Sequence, residues 1–395
     1  MTALRLPRLP NVRLPDVSGW LVRHGITRDA QRMILRAALL AAGVRLALLL
    51  AGYVTGYIII GREGPGAQDI ILETFKRWDA ANYERIAETG YPTSGEYQEI
   101  IVFLPLFPYA VRVVEWVIPS FLVAGMLISA VASVFAGYFL QAIVRRDGGD
   151  DAEASRTLWY FFLFPTAYFL AMPYTEGLFM ALLLGSFYYA RKSNWFLAGV
   201  LGAFCTATRL QGMILLPALV IEAVHQKNWR GIDLKAAWLA LVPYGFLVYL
   251  WLNYDLHGDV FAFIDFEEQY WFHHRIWPWE SIDEAFGWVR DARPDFIRIS
   301  IYEFRLAAAG VATFFLILGS FWVRPSYMAF AWISLIFFLS VSFQISLPRY
   351  ILTLFPMFMV MARIGRNPEA HQTLLTVCAI LMGAFYVVYA TRWGF

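Results

Sequence analysis

Long apolar runs alternate with short polar connections along this chain, and two longer polar stretches interrupt the rhythm. The runs fall at 38–60, 121–144, 158–172, 178–190, 196–207, 213–224, 236–254, 302–323, 328–345, 351–361 and 374–390. Runs this apolar predict helices in a bilayer, where each segment must satisfy its own backbone polar groups. The expected fold is all-α, a polytopic transmembrane helical bundle of about 11 spans. Several runs are short for a hydrocarbon core of ~30 Å, which predicts kinked helices or helices packed inside the bundle.

Charge sets the direction. Arg5, Arg8, Arg13, Arg23, Arg28, Arg32 and Arg36 precede the first run, so residues 1–37 read as a basic cytoplasmic arm. The arm is too long, and lacks a small-residue cleavage site, for a signal peptide. Residues 38–395 read as one membrane domain. The run "IIVFLPLFPYAVRVVEWVIP" carries Pro105, Pro108, Arg112 and Glu115. Read as interfacial or re-entrant rather than as a full span, it leaves Arg145 and Arg146 on the cytoplasmic side. Later Lys/Arg-bearing loops then agree. The two long polar stretches, within 61–120 and 255–298, face outward and are expected to carry helices.

Function in such a bundle concentrates in long loops and in charges at membrane depth. In "FKRWDAANY", a helix is expected over 69–89, capped by Asp69 and ended by Gly90 ahead of Pro92. It puts Asp79 and Tyr83 on one face and Trp78 and Asn82 on the next. A carboxylate beside Trp78 and Arg77 is a candidate general base; its bland reading is a solvated acid paired with a neighbouring arginine. The second stretch, "FIDFEEQYWFHHRIWPWE", mixes acids, His273, His274 and aromatic rings. That mixture suits sugars or lipid headgroups, or simply an amphipathic interfacial helix. Neighbouring histidines do not share a helical face, so no metal site is assigned.

Arg209 and Arg349 stand near the outer ends of apolar runs, with Gln211 and Tyr350 beside them as candidate substrate contacts. A guanidinium at that depth needs an anion, and a phosphate matches its fork. A structural pair with Glu176, Glu303 or Asp255 would serve too. Glu176, in "PYTEG", sits at the same outer level.

Composition agrees with the class. The chain of 395 residues is 59% hydrophobic and 16% charged, against about 25% charged in soluble domains. A net charge of +2 gives no argument for nucleic acid. Cys205 and Cys378 lie in apolar runs, far apart, and read as core residues. No cofactor motif, soluble domain or internal repeat is visible, and the missing repeat counts against inverted-repeat transporters.

Four blocks, "RWDAANYERIAETGY", "FLPLFPYAVRV", "FPTAYFLAMPYTEGLFMALLLGSFYYARKSNWFLAGVLGAFCTATRLQGMILLP" and "PRYILTLFPMF", resemble the PIG-V-type mannosyltransferases, polytopic enzymes of the GT-C class. The likeness runs from about Lys76 to Phe358. It implies a GT-C fold and an inverting transfer, on the outer face, from a mannosyl polyprenyl or dolichyl phosphate to a hydroxyl of a glycan or glycolipid. It maps the family's Trp-Asp motif onto Asp79 as catalytic base, and two motif arginines onto Arg209 and Arg349. Their phosphate-binding role follows from charge and position. Arg77, Trp78, Asn82, Tyr83, Glu176, Gln211, His273, His274 and Tyr350 join them as candidate substrate contacts. "AAN" after the Asp departs from the small residue usual there and puts acceptor contacts in doubt. Short loops on the cytoplasmic side and no retention motif point to a prokaryotic plasma membrane. A flippase for lipid-linked sugars, or a non-catalytic subunit, would share the basic and aromatic features.

Overall fold

The structure, a computed structural model, describes residues 27–60, 74–291, 303–342 and 346–390. Asp69, Glu73 and most of the basic arm lie outside them. Among the described residues the chain is helical, with one isolated β-bridge between Arg275 and Val341.

The apolar runs become helices much where the pattern puts them. Helix α1 (Arg28–Ile60) packs beside α4 (Phe121–Arg146), and α4 lies against both α5 (Asp151–Leu163) and α6 (Thr175–Arg191). Helix α7 (Trp195–Thr206) covers α6, and α8 (Leu215–Gln226) leads through a 3-10 stretch, Leu234–Leu241, to α9 (Tyr244–His257). Two short helices, α2 (Asp79–Thr89) and α3 (Leu106–Glu115), pack on each other ahead of α4. Helices α10 (Ala262–Trp271) and α11 (Pro278–Asp291) form the second polar stretch. The chain closes with α12 (Phe304–Trp322), α13 (Pro325–Leu339), a single turn α14 (Leu347–Tyr350), α15 (Pro356–Ile364) and α16 (Pro368–Ala390).

Among the described residues five helices are long and apolar enough to cross a membrane: α1, α4, 234–257, α12 and α16. A sixth arises if 347–353 and 356–364, bent by 80° about their break, count as one span. The remaining apolar helices are shorter. The interior is packed with aromatic side chains, among them buried Phe161, Tyr168, Tyr174, Tyr327 and Tyr389. Such a core fits a bundle whose helices cannot rely on water to drive them together. Gly177 lets α6 approach α4 closely: a Cβ there would sit 3.0 Å from the Ser129 carbonyl oxygen.

Two expectations change. The first helix starts at Arg28, inside the stretch read as an arm, because Arg32 and Arg36 interrupt the apolar run without breaking the helix. Arg36 pairs with Asp151 at 2.7 Å. The helix expected over 69–89 is interrupted: Thr74 and Phe75 are helical, residues 76–78 are not, and α2 starts at Asp79. Trp78 takes φ 52°, a left-handed backbone costly for a bulky residue, and that turn breaks the helix. Gly90 does end α2, at φ 83°. Helix α3 has ten residues, or about 15 Å of rise, too little to cross a bilayer alone, in keeping with the interfacial or re-entrant reading of that run.

Candidate active site

The break before α2 fixes Asp79. Trp78 turns the chain so that Asp79 opens the helix at its N-terminus, where the positive end of the helix dipole favours a carboxylate. Arg77, one residue earlier, donates to the carbonyls of Tyr389 (3.3 Å) and Ala390 at the end of α16. The Tyr174 hydroxyl donates back to the Arg77 carbonyl at 2.8 Å and stands 3.4 Å from the Tyr389 hydroxyl. The loop carrying Asp79 is therefore held from two sides.

From Asp79 a line of alternating charges runs inward. Arg349 donates through Nη1 to Asp79 Oδ2 and through Nε to Glu176 Oε1. Arg209 donates to Glu176 Oε1 at 2.6 Å and to the Thr175 hydroxyl at 3.0 Å. Exposure falls along this line: the Asp79 side chain is 28% exposed, Arg349 5% and Glu176 0%. Four elements distant in sequence supply the four groups: α2, α6, the turn opening Leu210–Ile214 and α14. Of the three acids open to the two arginines, Glu176 takes both.

Aromatic rings line the charges. The Arg349 guanidinium lies 4.8 Å from the Phe169 ring centre and 4.6 Å from that of Tyr174. Arg209 lies 5.2 Å from the Tyr350 ring. Cation–π contact supports both arginines where water is scarce. Tyr83, one turn beyond Asp79, is buried against Phe103, Phe107 and Tyr174. Trp78 stays 48% exposed at the rim, and Asn82 is half-buried on α2.

Other candidates stand apart from this line. Gln211 is buried in a lock with Ser334 (3.0 Å) and Thr353 (2.9 Å) that ties the Leu210–Ile214 turn to α13 and the segment after α14. His273 pairs with Glu267 at 2.6 Å. His274 is exposed, and its backbone bonds Ser342 in both directions, at 2.8 and 2.9 Å, which fastens 272–276 to the end of α13. Rings link the histidine segment to α2, Trp271 on Phe103 (5.8 Å) and Phe103 on Tyr83 (5.2 Å). Among the described residues no group of three or more His, Cys, Asp or Glu could hold a metal ion.

Sequence reasoning missed Tyr174, Phe169 and Tyr389, which wall the site. Tyr174 stood inside the quoted "PYTEG"; the other two carry no local signal. It also missed Arg45, alone in an apolar run, which donates to Ser129 O (3.1 Å), Ser133 Oγ (2.8 Å) and Leu170 O (2.6 Å). Arg45 holds the turn from which Phe169 faces Arg349.

The fold and this cluster define a helical membrane protein with a paired, partly exposed carboxylate at one rim. Residues 66–256, just under half of the chain, match the family model described as Mannosyltransferase (PIG-V). The matched part includes Asp79, Glu176 and Arg209 and ends before Arg349. The match supports the PIG-V-type mannosyltransferase family read from the motifs, and that family implies mannosyl transfer by a glycosyltransferase in the membrane. No curated protein and no solved structure matches the chain significantly.

Proposed function

We propose that the protein is an inverting mannosyltransferase of GT-C type with Asp79 as general base, drawing mannose from a polyprenyl-phosphate donor. The observation that carries this reading is the Asp79 carboxylate: partly exposed at the rim, yet anchored by a buried arginine that is itself anchored by buried Glu176. A solvated surface acid needs no such support.

Asp79 Oδ2 holds Arg349, which leaves Oδ1 for an acceptor hydroxyl. As the acceptor oxygen bonds to the anomeric carbon, its proton passes to Oδ1. The bond from that carbon to the donor phosphate breaks, and its electron pair stays on the phosphate oxygen. Attack opposite the leaving group inverts the centre. The products are the mannosylated acceptor and polyprenyl monophosphate. A general base of this kind contributes ~10²–10⁴-fold. Negative charge grows on the leaving phosphate, and donors of Arg349 and Arg209 not used by Glu176 and Asp79 are the nearest cations to meet it. Trp78 offers an exposed ring face to the sugar. Arg77, Tyr83, Tyr174 and Tyr350 position the charged groups, and the His273–His274 segment borders the acceptor side. The positive-inside pattern supports an outer-face position for this rim, and the short cytoplasmic loops support a prokaryotic plasma membrane. The apolar runs support about 11 spans, the shorter ones buried in the bundle.

The test is transfer from labelled polyprenyl-phosphate-mannose by purified protein, with and without chelator. Asp79→Asn is expected to lower turnover by ~10²–10⁴-fold while donor binding and the thermal midpoint hold. Unchanged turnover in the variant removes Asp79 as base. A wild-type protein that binds the donor, never releases mannose, and moves it across vesicles instead is a flippase.

A further inference from the structure

The end of the bundle away from Asp79 holds a second concentration of arginine. Glu176 opens α6 and Arg191 closes it, about 22 Å further along the axis. Beside Arg191 lies a cavity of about 380 Å³, walled by Arg146, Asp147, Arg191, Trp322, Arg324 and Arg363. Two candidate spans, α4 and α12, end in that wall, at Arg146 and Trp322. The cavity therefore lies at the level where spans leave the hydrocarbon. Exposed Trp322 and Phe321 mark that level, as aromatic residues do at membrane boundaries.

Its charges do not cancel. Arg191 pairs with Asp147 (2.6 Å) and Glu222 (3.3 Å), and Arg324 with Glu222 (3.0 Å). Arg363 and Arg366 share Glu153, at 3.3 and 2.7 Å. Adding Arg146 sets five guanidinium groups against three carboxylates, Asp147, Glu153 and Glu222, and so leaves two positive charges. Some donors serve helix ends: Arg146 Nε bonds the Arg191 carbonyl at 2.7 Å, and Arg363 bonds the Trp322 carbonyl. That use takes one N–H from Arg146, whose terminal nitrogens form no ion pair among the described residues. Burial raises the Asp147 carboxyl against the pull of Arg191.

We propose that this cavity binds a phosphate group. Guanidinium forks match phosphate oxygens two at a time, and the volume falls within the range of small-ligand sites. Its place at the membrane boundary, with Trp322, Val323 and Met359 beside the arginines, suits a phosphate carried on a lipid headgroup, and the same donors would accept a free one.

The test uses the full chain, purified and delipidated in neutral detergent, with binding read by native mass spectrometry and by the thermal midpoint. The probes are phosphatidylglycerol, phosphatidylcholine as the zwitterionic comparison, and inorganic phosphate. Arg146→Gln, at an exposed position, is expected to weaken phosphatidylglycerol binding roughly tenfold, and Arg146→Lys less. Arg145→Gln removes the same charge one residue away, outside the cavity wall, and is expected to leave binding unchanged. Inorganic phosphate that also binds, with the same loss in Arg146→Gln, shows that a free phosphate suffices; phosphatidylglycerol alone identifies a lipid headgroup. The proposal fails if neither probe binds, if phosphatidylcholine binds as tightly as phosphatidylglycerol, or if Arg145→Gln and Arg146→Gln weaken binding equally, as diffuse surface charge would. None of these readouts depends on mannosyl transfer, so this proposal can fail while the transferase reading stands.

Discussion

Each end of the bundle is organised around a fully buried glutamate that bridges two arginines: Glu176 with Arg209 and Arg349, and Glu222 with Arg191 and Arg324. The difference lies in what stands at the rim. At one end the line terminates in Asp79, a carboxylate with a free oxygen, and two acids balance two arginines. At the other it terminates in arginines left in excess. The same inner motif thus presents a carboxylate at one rim and an excess of guanidinium groups at the other. A buried ion pair alone does not reveal function; its exposed terminus does.

Removing the bridging acids breaks the comparison most severely. Glu176→Ala leaves Arg209 without its carboxylate and Arg349 with Asp79 alone, and Glu222→Ala leaves Arg324 without one and Arg191 with Asp147 alone; each is expected to cost about 3–5 kcal/mol, read as a fall in thermal midpoint in detergent. Only Glu176→Ala is expected to lower transfer per folded molecule, because only Glu176 supports Arg349. Equal activity losses per folded molecule would erase the distinction between the ends. Arg349→Lys comes next. It keeps the charge and loses the fork that holds Asp79 and Glu176 together, so turnover is expected to fall by about 10–100-fold, more than stability explains. The smallest effect belongs to His273→Ala. Its partner Glu267 remains solvated, and turnover is expected to stay within about twofold of wild type with or without chelator. A larger, chelator-dependent loss would bring the histidine segment into the chemistry.

Much of the site was legible because charged residues near apolar runs are few, and each must have a purpose. Asp79, Glu176, Arg209 and Arg349 all stood out for that reason. The choice of partner did not, since Glu176, Glu303 and Asp255 were equally open to the arginines. Only the fold, which brings the start of α6 to Arg209 and Arg349, selects among them. Gln211 shows the converse. Two residues from Arg209, it looked like a substrate contact, but Arg209 is extended (φ −152°) where the 3-10 turn begins, and Gln211 falls on the inner side with Ser334 and Thr353. Sequence distance does not say which side of a turn a residue takes. The break at Trp78 was hidden for a similar reason: left-handed backbone at tryptophan follows no local preference and persists only where surroundings enforce it.

The grip of α16 on Arg77 bears on how the enzyme is made. Residues 74–256, nearly the whole matched region, emerge from the ribosome well before Tyr389 and Ala390, whose carbonyls anchor the loop that carries Asp79. Arg349 also emerges late. A nascent chain therefore carries its carboxylate through most of its synthesis without the partners that aim it, and the site assembles only when α16 docks. Under the proposed function, such late assembly would keep unfinished chains from transferring sugar.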